Sequence, residues 1–371
     1  MKNVRRVVVK VGTGVLTDAQ GQLDRPLIAR ISQQLADLVQ RGLKVTLVTS
    51  GAVGAGMGIV GLKARPRALP TLQACAAIGQ PALMDLYARG LAPSKLNAGQ
   101  VLVTRSDFEV RSRYVNIQNT IEALQRLGAV AIINENDATA VDELERFADN
   151  DTIAALLTNL LRADLLILLT VVDGLLTAKG QLIDLVSQVD DEVLGYAQSR
   201  RSALGSGGML SKLEATKLVT GSGEAAVIAN GREPDVLTRL IDGQRLGTFF
   251  APADRKMSAR HRWIRGAVRP TGTLTIDAGA ARALLDSRKS LLARGITDVA
   301  GTFRRGSIVR LVDPDGRTVA HGISNYSDAE LQQIRGLTST QIADVLKHRP
   351  PTEAVHRDNL VLIAGSGQPT E

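Results

Sequence analysis

Six runs of β-branched and aliphatic residues recur within the first 250 positions, at 7–11, 45–49, 99–104, 130–133, 165–170 and 225–229. Between each run and the next lies a segment of helical period, at 26–41, 72–89, 114–127, 152–161 and 212–220. Strands this apolar are buried on both faces, and parallel neighbours need a helical crossover to join them. The region is therefore restricted to an α/β fold, an open, mostly parallel sheet sandwiched between helices. A composition that is 44% hydrophobic but only 3% aromatic suits such a core of Val, Leu, Ile and Ala. Ligands of such sheets collect at the carboxyl ends of the strands. Polar residues gather there: Lys10 with Gly12, Ser50 with Gly51, Thr104 with Arg105, Asn134 to Asp137, and Thr170 with Asp173.

The pattern changes after Phe250. The spacing predicts a first domain over 1–252, a basic linker over 253–272, a small β-rich domain over 273–355 and a frayed tail over 356–371. Asp313-Pro314-Asp315-Gly316 marks a tight turn between two short strands of the second domain, with helices near 280–285 and 327–334. The net charge is +8, and Arg255, Lys256, Arg260, Arg262, Arg265 and Arg269 crowd the linker. Such a stripe suits nucleic acid, and equally a solvated face or an acidic subunit interface. A single cysteine, Cys75, excludes an internal disulfide and is read as a small core residue. The N-terminus lacks a secretory pattern, and the apolar run over 165–172 is too short to span a membrane; a cytoplasmic protein is expected.

Two loops combine glycine with lysine: Lys10-Val11-Gly12-Thr13-Gly14, and Gly205-Ser206-Gly207-Gly208-Met209-Leu210-Ser211-Lys212. Backbone N–H groups there can cradle phosphate oxygens while each ammonium neutralises charge on a moving group. No GxxxxGK[ST] loop, no GxGxxG opening the first helix and no HRD/DFG pair is present. Asn134-Glu135-Asn136-Asp137 mixes amide and carboxylate groups suited to a zwitterionic amino acid, with Asp137 able to bind an ammonium. In Asp149-Asn150-Asp151-Thr152 one member can cap a helix, orient a lysine or hold the metal that accompanies ATP. Thr49-Ser50-Gly51 offers a hydroxyl and free N–H groups to a carboxylate. All four histidines, from His261 onward, lie outside the glycine-rich part. The simplest reaction therefore has a nucleophile that is already ionised, such as a carboxylate attacking the terminal phosphate of ATP.

Taken together, VVVKVGTGVLT at 7–17, VTSGAVGAG at 48–56, INENDA at 133–138, DND at 149–151, LGSGGMLSKLEA at 204–215 and AHGISNY at 320–326 resemble one family. They look like the glutamate 5-kinases, of the amino acid kinase superfamily, in the long bacterial form with a C-terminal PUA domain. The resemblance implies ATP with Mg2+ and L-glutamate as reactants, and the first step of proline biosynthesis. It implies that Lys10, Asp151 and Lys212 are catalytic, Asp151 organising the lysines. Ser50, Gly51, Asn134, Asp137 and Asn150 would meet glutamate. Lys10, Gly12, Thr13, Thr170, Val171, Asp173, Gly207, Gly208, Met209 and Lys212 would meet the nucleotide. Relatives commonly carry Asp where this chain has Val171. No metal ligand among the side chains is expected. The resemblance further implies a homo-oligomer (dimer or tetramer), feedback by proline, a functional link to glutamyl phosphate reductase and RNA-binding ancestry. Another carboxylate kinase of the superfamily, or an RNA-binding protein with a degenerate kinase domain, are the alternatives.

Overall fold

The computed structural model describes residues 4–18, 21–139, 150–198, 208–254, 256–267, 270–346 and 351–363. The chain divides into two compact units, Met1–Lys256 and Met257–Glu371.

Among the described residues the first unit is built on eight strands: β1 Arg6–Val11, β2 Lys44–Val48, β3 Asn97–Val103, β4 Ala129–Glu135, β5 Leu165–Thr170, β6 Leu185–Val186, β7 Ala225–Asn230 and β8 Thr248–Phe250. Their order is β3-β4-β2-β1-β5-β7-β8-β6, parallel throughout except that β8 runs against β7. The expected open, mostly parallel sheet with helices is the fold observed. β6 and β8 add an edge that the sequence pattern does not predict, because two or three residues show no period. Val7, Val8, Val9 and Val11 of β1 are at most 1% exposed. Each such side chain contributes about 1.5–3 kcal/mol of transfer free energy. Alternate residues of β1 and β5 face one core with the helices Arg25–Gln40, Leu69–Leu91 and Val236–Ile241. The opposite face carries the helix Asn150–Leu161, which packs on β1, β2 and β5 and against the helix Met209–Thr220. Asn150–Leu161 is buried nearly all round, as a helix enclosed by protein must be, and Asp151 in its first turn has no exposure at all.

The glycine-containing residues that follow Gly51 form the helix Ala52–Ile59. Its glycines serve close packing. A Cβ at Gly56 would run into the carbonyl oxygen of Cys75, and one at Gly79 into that of Ala52. The helix therefore lies nearly backbone to backbone on Leu69–Leu91, and Cys75 is buried at the crossing.

In the second unit β9 Gly272–Ile276, β10 Ile296–Gly301, β11 Ile308–Val312, β12 Thr318–Ile323 and β13 Leu360–Leu362 form a sheet in the order β10-β9-β11-β12-β13. Two stretches differ from their sequence reading. Met257–Ala267, expected as linker, belongs to this unit, because Ile264 is buried against Ile308 and Val361. Leu360–Leu362, expected in the tail, pairs antiparallel with β12. Arg262 is 2% exposed and Lys256 pairs with Asp164 at 3.5 Å, so the basic stretch does not present all its charges to solvent.

The helix crossing yields a paired test. Gly79→Ala should lower stability by about 1–3 kcal/mol through overpacking. Gly54→Ala, with no atom within 4 Å of the added carbon, should raise it by about 0.5–1 kcal/mol. Urea midpoints at constant m-value measure both.

Candidate active site

Register brings the strand ends together. Lys10 of β1 lies beside Val48 of β2, Val48 beside Ile133 of β4, and Val11 beside Leu169 of β5. The residues that follow these positions, Gly12, Thr49, Asn134 and Thr170, share one edge of the sheet.

Asp151 sits at the centre of one cluster. Its Oδ1 is 2.6 Å from Lys10 Nζ, and its Oδ2 is 2.9 Å from Lys212 Nζ and accepts from Ser211 Oγ at 3.0 Å. Lys10 comes from a strand, Asp151 from the start of one helix and Lys212 from the first turn of another. All three are buried, with Lys10 at 3% and Lys212 at 5% exposure. Burial alone would raise the Asp151 carboxyl, but the two ammonium groups outweigh it and hold the group well below the usual carboxylate range. One carboxylate thus keeps two cations side by side where they would otherwise repel.

Asn150, one residue earlier, serves a second cluster. Its Nδ2 donates to Ser50 Oγ at 2.9 Å and to Asn134 Oδ1 at 3.1 Å. Ser50 leads into Gly51, whose φ of 99° opens the helix Ala52–Ile59 in a conformation that glycine tolerates best. Beneath it, Thr49 Oγ1 lies 2.8 Å from Tyr87 O–H, a hydroxyl pushed up by burial that stays protonated. Asn134 and Glu135, expected beyond the strand, are the last two residues of β4 and are buried. Asp137 is half-buried two residues further on.

The positions read from the sequence as facing the nucleotide fall at strand ends and helix starts. Gly12 precedes the short helix Thr13–Leu16, with its N–H donated to Leu169 O at 3.3 Å. Gly208 caps Met209–Thr220, whose first residue is Met209. Thr170 ends β5, Val171 is exposed, and Asp173 accepts from Asn230 Nδ2 at 2.9 Å. Gly207 and Asp149 lie outside the described residues. Sequence reasoning missed Ser211 and Gln80. Ser211 adjoins Lys212 and so had a local signal. Gln80, whose Oε1 accepts from Asn134 Nδ2 at 2.8 Å, stands mid-helix 54 residues away and had none.

Comparison with known proteins gives the family. Residues 5–230 match the amino acid kinase family and 272–346 the PUA domain. Over 367 residues the chain is 41% identical to a glutamate 5-kinase of Dehalococcoides mccartyi (strain CBDB1), covering 97% of this chain and 98% of that protein. It is 43% identical to one from Geobacter sp. (strain M21), with 98% and 99% covered. A third, from Moorella thermoacetica (strain ATCC 39073 / JCM 9320), is 42% identical, with 98% and 97% covered. The chain belongs to the glutamate 5-kinase family. In a glutamate 5-kinase of this build, the strand edge carries the two clusters on consecutive residues of a single helix, Asn150 and Asp151.

The Asp151 cluster makes a stability prediction with a definite sign. Because the folded carboxyl titrates below its unfolded value of about 3.9, its contribution is fully present above that pH. It is lost progressively as pH falls from that value through the lower folded one. Asp151→Asn, which leaves two buried ammonium groups without their counter-charge, should cost about 3–5 kcal/mol at pH 7. The gap to the unaltered chain should close as pH drops below 4; thermal melts across pH 2–8 measure it.

Proposed function

We propose that this chain transfers the γ-phosphoryl group of ATP to the γ-carboxylate of L-glutamate, giving L-glutamyl 5-phosphate and ADP, the first step of proline biosynthesis. The observation that carries the reading is the single buried carboxylate that holds Lys10 and Lys212 together. Two ammonium groups fixed side by side suit a phosphoryl group passing between two oxygens, since charge spreads over its equatorial oxygens in transit. The attacking γ-carboxylate, with a solution pKa of about 4.3, is ionised at neutral pH and carries no proton to remove. Asp151 therefore does not serve as a base; its charge is committed to the lysines. As the new O–P bond forms, the bond from the γ-phosphorus to the β,γ-bridging oxygen breaks and ADP departs. Lys10 acts on the transferring group, and Lys212 on the bridging and leaving oxygens.

Gly12, Thr13, Gly207, Gly208 and Met209 provide backbone for the phosphates, and Thr170, Val171 and Asp173 line the nucleotide side. Both Asp151 oxygens are taken by lysines, and among the described residues no group of three or more His, Cys, Asp or Glu could hold a metal ion. Mg2+ would be held by the phosphate oxygens of ATP and by water, and would neutralise charge on the β- and γ-groups. Ser50, Gly51, Asn134, Asp137 and Asn150 form the glutamate side. Proline shares the α-carboxylate and amine of glutamate, which supports inhibition at or beside these residues. A homo-oligomer, a cytoplasmic location and prompt reduction of the labile acyl phosphate by glutamyl phosphate reductase complete the proposal. No helix among the described residues is long and apolar enough to cross a membrane. RNA binding by the PUA unit has no supporting observation beyond its family and charge.

A substrate panel at saturating MgATP, with ADP release coupled to a spectrophotometric readout, tests the activity. L-glutamate should be preferred over aspartate and N-acetylglutamate, and preference for either of those would overturn the assignment. Lys212→Ala should lower kcat by about two to four orders of magnitude, with a smaller effect on the glutamate KM. Asp137→Ala should instead raise the glutamate KM and leave the MgATP KM near its original value, because an ammonium-binding carboxylate acts in recognition. Saturation curves for each substrate separate the two outcomes.

A further inference from the structure

A line of side-chain amides crosses the first unit from the outer edge of its sheet to the amino-acid side of the site. On edge strand β3, Gln100 Oε1 accepts from Gln80 Nε2 at 3.1 Å. Gln80 Oε1 accepts from Asn134 Nδ2 at 2.8 Å. Asn134 Oδ1 accepts from Asn150 Nδ2 at 3.1 Å, and that same nitrogen donates to Ser50 Oγ at 2.9 Å. Gln80 and Asn134 are 8% and 1% exposed, so neither has ready recourse to water.

The direction of this relay is fixed by a backbone group. The N–H of Glu135, which can only donate, reaches Asn134 Oδ1 at 2.9 Å. That contact decides which end of the Asn134 amide carries oxygen. Its Nδ2 must then face Gln80, Gln80 must answer with Oε1, and the Gln80 amide nitrogen turns to Gln100. On the other side, the Asn134 oxygen obliges Asn150 to present its nitrogen. Two consequences reach the site. Asn150 Oδ1 is buried and, among the described residues, has no hydrogen-bond partner. Ser50 Oγ, already accepting, keeps its proton for donation. A ligand that satisfies both must bring one donor and one acceptor. L-glutamate at neutral pH has a single donor group, its ammonium; its two carboxylates only accept.

We infer that Gln80 is a positioning residue for amino-acid recognition. By locking the polarity of the amide relay it makes Asn150 offer oxygen to the substrate ammonium and leaves the Ser50 hydroxyl to the α-carboxylate. The inference rests on the glutamate reading above. Without an acceptor at position 80, the buried Asn134 amide loses its partner and can regain one only by moving, which frees the Asn150 amide to turn its oxygen away from the ammonium.

Gln80→Met removes the acceptor at similar volume. It should raise the glutamate KM about tenfold while kcat and the MgATP KM stay within about twofold. Gln80→Glu keeps an acceptor toward Asn134 whether its carboxyl is ionised or protonated, and should hold the glutamate KM within about threefold. Glutarate, which has both carboxylates but no amine, serves as a competitive probe. In Gln80→Met its inhibition constant should change by less than about threefold, so the preference for glutamate over glutarate shrinks. A merely structural role would move glutarate, glutamate and MgATP alike and would spare neither variant. An unchanged glutamate KM in folded Gln80→Met overturns the inference, as does a tenfold rise in folded Gln80→Glu. Failure of the unaltered chain to phosphorylate glutamate is a separate result, and removes the activity reading itself.

Discussion

The buried carboxylate of Asp151 is the contact on which the rest of the site depends. Two ammonium groups at this depth would be driven apart or neutralised if left alone. Asp151 reverses that balance, and in doing so ties three separate segments together: the end of β1, the start of Asn150–Leu161 and the first turn of Met209–Thr220. Stability and chemistry therefore converge on one side chain. A buried ion pair rarely outdoes an apolar substitute in stability alone, which supports the proposal that the paired charges serve a phosphoryl group.

The surrounding fold explains how so few residues suffice. A parallel sheet delivers the ends of adjacent strands to one edge, and register sets Lys10, Val48 and Ile133 side by side, with Thr49 and Asn134 following, without any local motif linking them. The helix Ala52–Ile59 fits over this edge because Gly56 and Gly79 let two backbones meet. Glycine at these places has a packing cause, whereas at Gly51 the cause is a left-handed turn.

Much of this was legible in the sequence, for identifiable reasons. The long apolar strands and amphipathic helices announce themselves by period, and Lys10, Asp151 and Lys212 stand in or beside compact polar or glycine-rich sequence stretches. What stayed hidden lacks such local signals. β6 and β8 are too short to show alternation, and Ala52–Ile59 has the composition of a loop because its packing demands glycine. Leu360–Leu362 becomes a strand only by joining β12, a long-range event. Ile264 stands in a stretch whose arginines dominate its appearance, although its side chain is buried. Gln80 is a polar residue in the middle of a helix, and only the folded chain reveals that it meets Asn134.

Asn150 and Asp151 are neighbours in sequence, joined by one rigid peptide unit whose Cα atoms lie about 3.8 Å apart. One reaches Ser50 and Asn134, and the other anchors Lys10 and Lys212. If the site takes glutamate as proposed, the span between the grip on its α-carbon and the place of bond formation is built into the covalent backbone, and the helix that carries it is buried on nearly all sides. On that reading the site works as a gauge of substrate length. An amino acid one methylene shorter would bring its terminal oxygen about 1.5 Å short of the phosphorus, and a 1 Å misplacement alone can cost about a hundredfold in rate. Discrimination of that kind needs no steric wall, because a substrate of the wrong length can be held at one end and still fail to reach the other.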